Sequence, residues 1–160
     1  MATLPQLIEE DVRQLDDSLR EFLARTDAKV ALLIDKGGFL LTHQGATGDL
    51  DLTTIGALAS GAFMASQTIA SLVNEKDFSY TCQQGELFSL FTMNVDEHCL
   101  LVVIFAAPSG AGVVKYYSAA AVKCIARQLA VARARDPVGG LDLSELNVAA
   151  PQELFRKKTV

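Results

Sequence analysis

The sequence runs to 160 residues, half of them hydrophobic and 21% charged, which sets aside a largely disordered chain and points to one domain with a tail. A formal net charge of −5 argues against nucleic acid as a partner, because phosphate binding needs clustered Lys and Arg. Cys82, Cys99 and Cys124 are an odd set at irregular spacing with no disulfide framework, and acidic Glu9, Glu10 and Asp11 stand where a secretory signal would be basic and then apolar, so a cytoplasmic protein is expected.

The opening segment reads as an amphipathic helix, with Ile8, Val12, Leu15, Leu19 and Phe22 on one stripe and Glu10, Asp17, Arg20 and Arg25 facing solvent. Thr3 is its expected cap, with Gln6 three residues later and Pro5 in the first turn. From Lys29 to Ile34 the pattern changes to a continuous apolar run, Val30 to Ile34, which predicts a central strand covered on both sides. Asp35-Lys36-Gly37-Gly38 is a hairpin signal, and Phe39 to His43 is the returning edge strand.

Leu52 to Asn74 carries no charge and reaches the roughly 20 residues of a membrane span. Its Gly, Ser, Thr and Gln content and the one-sided stripe Leu52, Ile55, Leu58, Ile69, Leu72 favour a soluble helix, with no membrane partner. Ala57, Gly61 and Ala65 recur every four residues beside Ser60, Met64 and Thr68. This small-residue face either packs on its own sheet or admits the close approach of another surface.

Phe78 to Cys82 alternates with Ser79 and Thr81 as a half-exposed edge strand, and Gln83-Gln84-Gly85-Glu86 turns the chain into a strand from Leu87 to Met93. Leu100 to Phe105 is the greasiest strand and therefore central, and Val113 to Ala134 is a last helix with Val114, Tyr117, Ala121, Ile125 and Leu129 inward. These elements predict an α/β (α+β) fold, an α/β/α sandwich on a five-stranded antiparallel sheet in the order helix-strand-strand-helix-strand-strand-strand-helix. The domain spans residues 1–135, and 136–160 is a flexible tail in which Leu154, Phe155 and Arg156-Lys157-Lys158 form either a docking peptide or a frayed end.

Nothing converges on catalysis. His43, His98 and the cysteines lack metal-ligand spacing, no nucleophile elbow occurs, and Ser109 to Lys115, with Gly110 and Gly112, lacks the third glycine and the following parallel strand of a phosphate loop. No cofactor, metal or catalytic residue is expected.

The element order, with VALLIDKGGFLL from Val30, LASGAFMASQTIASL from Leu58, FSYTCQQGE from Phe78 and LLVVIF from Leu100, resembles the roadblock (dynein light-chain) family, and most of all its bacterial MglB-like branch. The resemblance implies a homodimer paired edge to edge through Phe78, Ser79, Tyr80, Thr81 and Cys82. It also implies a small Ras-like (MglA-like) GTPase partner at Ala57, Ser60, Gly61, Met64, Ala65 and Thr68, and a role as its activating or co-regulatory protein. The alternative is a dimeric adaptor that uses the same surface without affecting hydrolysis. One departure is Cys82-Gln83-Gln84-Gly85, where related regulators often carry a histidine before Gln-Gly.

Overall fold

The structure, a computed structural model, describes residues 5–135. The expected cap at Thr3 and the expected tail at 136–160 lie outside the described residues. In chain order the elements are α1 (Glu9–Arg25), β1 (Ala28–Asp35), β2 (Leu40–Gly45), α2 (Leu52–Leu72), β3 (Tyr80–Gln84), β4 (Phe88–Asn94), β5 (Cys99–Ala106) and α3 (Ala111–Ala134). The strands form one sheet in the order β2-β1-β5-β4-β3, with every neighbouring pair antiparallel.

The two strands with apolar residues on both faces, β1 and β5, lie side by side, and their side-chain alternation divides the core into two layers. Val30, Leu32, Ile34, Leu100, Val102 and Ile104 point to the face that carries α2. Ala31, Leu33, Leu101, Val103 and Phe105 point to the other face, where Leu15, Leu19 and Phe22 of α1 and Ile125 and Leu129 of α3 cover them. Each buried Leu, Ile or Phe contributes about 1.5–3 kcal/mol, so this alternation supplies most of the drive to fold.

The strand and helix bounds shift by a residue or two from the sequence reading, and three departures bear on the site. Helix α1 starts at Glu9, with Ile8 as its N-cap and half exposed, and Asp11 rather than Ile8 takes the first place on the buried face. Strand β3 begins two residues later than expected, so Phe78 and Ser79 precede it while Gln83 and Gln84 belong to it. In α2, Leu58, Ile69 and Leu72 are exposed instead of core.

Asp11 is fully buried and closes the bundle. Its carboxylate accepts the Ile8 amide at 2.9 Å, Gln128 Nε2 at 2.9 Å, and both terminal nitrogens of Arg135 at 2.7 and 2.9 Å. The Arg135 hydrogen bonds, helped by the Ile8 amide and Gln128, hold the carboxyl well below the usual carboxylate range despite its burial. The same group caps the start of α1 and clamps the end of α3. We expect Asp11→Asn to cost about 2 kcal/mol at neutral pH, because charge-assisted hydrogen bonds are replaced by weaker ones. Because the folded carboxyl titrates below the unfolded one, this contribution is complete above the unfolded Asp range. It fades as the pH falls below about 4, and urea midpoints of the two proteins should converge in acid.

Candidate partner-binding surface

Helix α2 has three faces. Its N-terminus is fixed by Asp51, whose carboxylate accepts the Thr54 hydroxyl at 2.6 Å and the Thr54 amide at 3.1 Å. The inward face is Leu52, Gly56, Ala59, Ser60, Phe63 and Ala70. Small residues stand there because the helix lies close to the β1–β2 hairpin. A Cβ on Gly56 would sit 3.1 Å from Ile34 Cγ2, and one on Gly38, whose φ is +93°, would sit 2.9 Å from Ala57 Cα. The Ser60 hydroxyl donates to the Lys36 carbonyl at 2.6 Å, bolting helix to hairpin. Helix α2 is long and apolar enough to cross a membrane by length and composition alone, yet here it lies along the sheet with Phe63 in the core.

The other two faces are open. Ala57, Gly61, Met64 and Thr68 form one stripe, and Leu58, Ala62, Ala65, Ile69 and Leu72 form a second at heptad steps of four and three. Leu58 is 69% exposed and Leu72 77%. Ile55, Leu58 and Ala62 form one wall of an apolar groove of about 550 Å³, whose floor includes Phe88, Leu90 and Ile104. The small-residue face is therefore divided: Gly56, Ala59 and Ser60 pack inward, while Ala57, Gly61 and Ala65 do not. Five of the six sequence-predicted contact residues, Ala57, Gly61, Met64, Ala65 and Thr68, are exposed together. Ser60 is the exception, buried and engaged with Lys36.

Helix α2 and strand β3 are joined as one unit. Asn74, at φ 62°, ends the helix in a Schellman turn in which the Glu75 amide donates to the Ala70 carbonyl at 2.9 Å. Gln67 then captures Phe78 at both backbone groups: Nε2 donates to the Phe78 carbonyl at 2.8 Å, and the Phe78 amide donates to Oε1 at 3.0 Å. Phe78 is thus held by the helix rather than offered to an edge. The amide of Asn94 donates to the Ser79 carbonyl at 3.2 Å, and that of Ala107 to the Leu87 carbonyl at 3.0 Å. Combined with the register Tyr80↔Met93 through Gln84↔Ser89, these bonds set the alternation of the ladder. Ser79, Thr81 and Gln83 turn their N–H and C=O toward β4, whereas Tyr80, Cys82 and Gln84 turn theirs to the outer edge.

Tyr80 stacks on Phe91 with ring centroids 5.2 Å apart, and Lys115 Nζ lies 4.6 Å above the Tyr80 ring. Burial pushes the Cys82 thiol up. Of the predicted contact residues, only Ser79 and Tyr80 border the larger groove of about 880 Å³ on the α1–α3 side. Sequence reasoning missed the Gln67 clamp and the outward heptad stripe. The spacing of Leu58, Ala62, Ala65, Ile69 and Leu72 was the available signal for the stripe, while nothing local marks the clamp.

The Roadblock/LC7 domain profile matches residues 14–105. Among solved structures, the gliding protein MglB of Thermus thermophilus is similar at 31% identity and a TM-score of 0.75, over 82% of this chain and 99% of that one. An MglB with a tetrameric arrangement is similar at 32% identity and a TM-score of 0.74, over 82% and 98% of the two chains. Myxococcus xanthus MglB is similar at 25% identity and a TM-score of 0.75, again over 82% and 98%. No curated protein matches.

The two helix glycines should respond in opposite ways. Apart from the helix's own neighbouring backbone, no atom lies within 4 Å of a Cβ on Gly61, so Gly61→Ala should gain up to about 1 kcal/mol of helix propensity. Gly56→Ala must push against Ile34 and should gain nothing or lose stability, as urea unfolding of the two variants will show.

Proposed function

The chain belongs to the Roadblock/LC7 domain family, and on that premise we propose that it is a homodimeric regulator of a small Ras-like GTPase, acting through α2. The observation that carries this reading is the pair of exposed, uncharged stripes on α2, set on a fold similar to MglB. The heptad stripe and its groove lie toward the β3 side of the sheet, where a second copy would cover them. The stripe of Ala57, Gly61, Met64 and Thr68 is left for a different partner, with small residues that permit close backbone approach. Two such helices near a dimer axis make one composite surface. A standard interface takes about 800 Å² per partner, so one GTPase would occupy both copies.

Among the described residues, no arginine finger stands on this face. There is no arginine between Arg25 and Arg127, so neither α2 nor the sheet holds one. The arginines of α1 and α3 lie across the sheet from α2, and Arg20, Arg25 and Arg133 are paired with Asp17, Glu21 and Asp96. Stimulation therefore works by favouring a GTPase conformation whose own residues are aligned, not by donating charge. The protein is a regulator and not an enzyme in its own right.

Two measurements test this. Single-turnover GTP hydrolysis by an MglA-like GTPase should accelerate when the protein is added; binding without acceleration would favour the adaptor reading. Alanine at each arginine should leave that acceleration within tenfold, far from the 10³–10⁵ that a finger typically supplies. Calorimetry should give two copies per GTPase, and Gly61→Arg should abolish binding with fold and dimer intact. A one-to-one subunit ratio would refute the composite surface.

A further inference from the structure

Helix α3 turns an apolar stripe to solvent. Val113, Tyr116, Ala120, Cys124 and Val131 are all exposed and follow one another at helical spacing, so they form one line along the helix. Tyr116 is 73% exposed and Val131 54%, where a solvent face would ordinarily carry charge. The stripe leads from the end of α3 into the groove of about 880 Å³, which lies along the first half of the helix with Phe22 of α1 and Tyr80 of β3 in its walls. That groove is on the other side of the sheet from α2. We propose that residues 141–146 of the same chain, Leu-Asp-Leu-Ser-Glu-Leu, fold back along this stripe and fill the groove.

Reach and charge select this occupant. Arg135 is tied by both terminal nitrogens to the buried Asp11, so the chain leaves α3 at a fixed point. Cys124 lies about 17 Å back along the helix from there, at 1.5 Å of rise per residue. An extended chain from Arg135 to Leu141 spans about 20 Å, which brings Leu141 level with Cys124 and leaves slack for the reversal. Pro137, Gly139 and Gly140 in between are residues that suit a turn. From Leu141 to Leu146 the chain covers about 17 Å more, close to the roughly 18 Å of helix between Cys124 and Gly112 at the far end of the groove. Helix α3 contains no acidic residue, and Lys115, Lys123 and Arg127 stand exposed on it. Glu21 at the rim is already paired with Arg25. Residues 136–146 carry Asp136, Asp142 and Glu145 and no basic residue, so they complement this surface. The apolar pair further on, Leu154 and Phe155, is followed by Arg156-Lys157-Lys158, whose charge has the wrong sign for it. Leu141, Leu143 and Leu146 then supply the apolar side chains that cover Tyr116 and Ala120.

The exposed thiol of Cys124 is the reporter, in the full chain carrying Cys82→Ser and with Cys99 buried. A nitroxide on Cys124 should broaden the amide signals of residues 141–146 beyond detection in isotopically labelled protein. Leu143→Ser with Leu146→Ser should restore them, and so should Lys115→Glu with Lys123→Glu; adding Asp142→Lys and Glu145→Lys to the latter should bring the broadening back. Without any nitroxide, Leu143→Ser with Leu146→Ser should also shift the amide signals of Tyr116 and Ala120. This second measurement holds if the label itself crowds the groove, and it uses a variant whose changes lie outside the folded body. When nitroxide-bearing chains are mixed with isotopically labelled chains that lack the nitroxide, no broadening should appear, because the contact is within one chain. Broadening only in that mixture would mean that the groove takes the segment of a second copy, and overturns the fold-back. Signals of residues 141–146 that stay sharp, together with Tyr116 and Ala120 signals that do not move, leave the groove without this occupant and overturn the proposal. Broadening that survives both the serine and the glutamate replacements marks chance proximity and overturns it equally.

Discussion

One helix cannot cover a five-stranded sheet, and the rest of the molecule follows from that mismatch. Outer strands of such a sheet stand about 19 Å apart, at 4.7–4.9 Å per step, whereas a helix with its side chains is about 10–12 Å wide. On one face α1 and α3 together span the sheet, and the clamps at Asp11 and Asp96 hold α3 in place. Burial pushes the Asp96 carboxyl up, but Arg133 and the amides of His98 and Cys99 outweigh it and hold it below the ordinary range. On the other face α2 works alone. It covers β1 and β5, and leaves Phe88 and Leu90 of β4 beside an unfilled groove.

The way α2 is seated explains why so much of it stays exposed. Gly56, Ala59 and Ser60 let the backbone approach the β1–β2 hairpin, and Phe63 is the one large side chain of the helix that is fully buried. Close seating on small residues buries little of the helix circumference, so its larger apolar side chains are left outside. The Schellman turn at Asn74 and the Gln67 clamp on Phe78 tie the end of the helix to the start of the edge strand, so the two surfaces are held in one fixed relation.

Much of the fold was legible in the residues. The doubly apolar runs of β1 and β5, the Asp-Lys-Gly-Gly hairpin and the long uncharged helix each follow from local pattern, and the structure places all of them as expected. The bounds of β3 were not legible, because Gln67 withdraws Phe78 from the strand through a non-local contact, and Gln83 and Gln84 look like a turn while an edge strand needs no apolar residue on its open side. Leu58, Ile69 and Leu72 read as core for a related reason: periodicity reports that a stripe exists, not which side of the helix meets the sheet. Asp11 could not have been found locally, since Gln128 and Arg135 lie more than a hundred residues away. Of the candidate site, Ala57, Gly61 and Ala65 were visible as a four-residue repeat. Ser60 belongs to the same repeat pattern by composition, but its hydroxyl is committed to a carbonyl that sequence cannot place beside it.

Helix α2 also carries no charge along its whole length. A partner approaching it meets no charged side chain on the helix itself, so the helix adds little electrostatic steering to the encounter. Surfaces of this kind associate at about 10⁵–10⁶ M⁻¹s⁻¹, without the acceleration that complementary charges provide. Any dependence of the association rate on salt then comes from the rest of the chain, whose formal net charge is −5. The lifetime of such a complex, rather than the speed of its formation, would then set how long a bound partner is held.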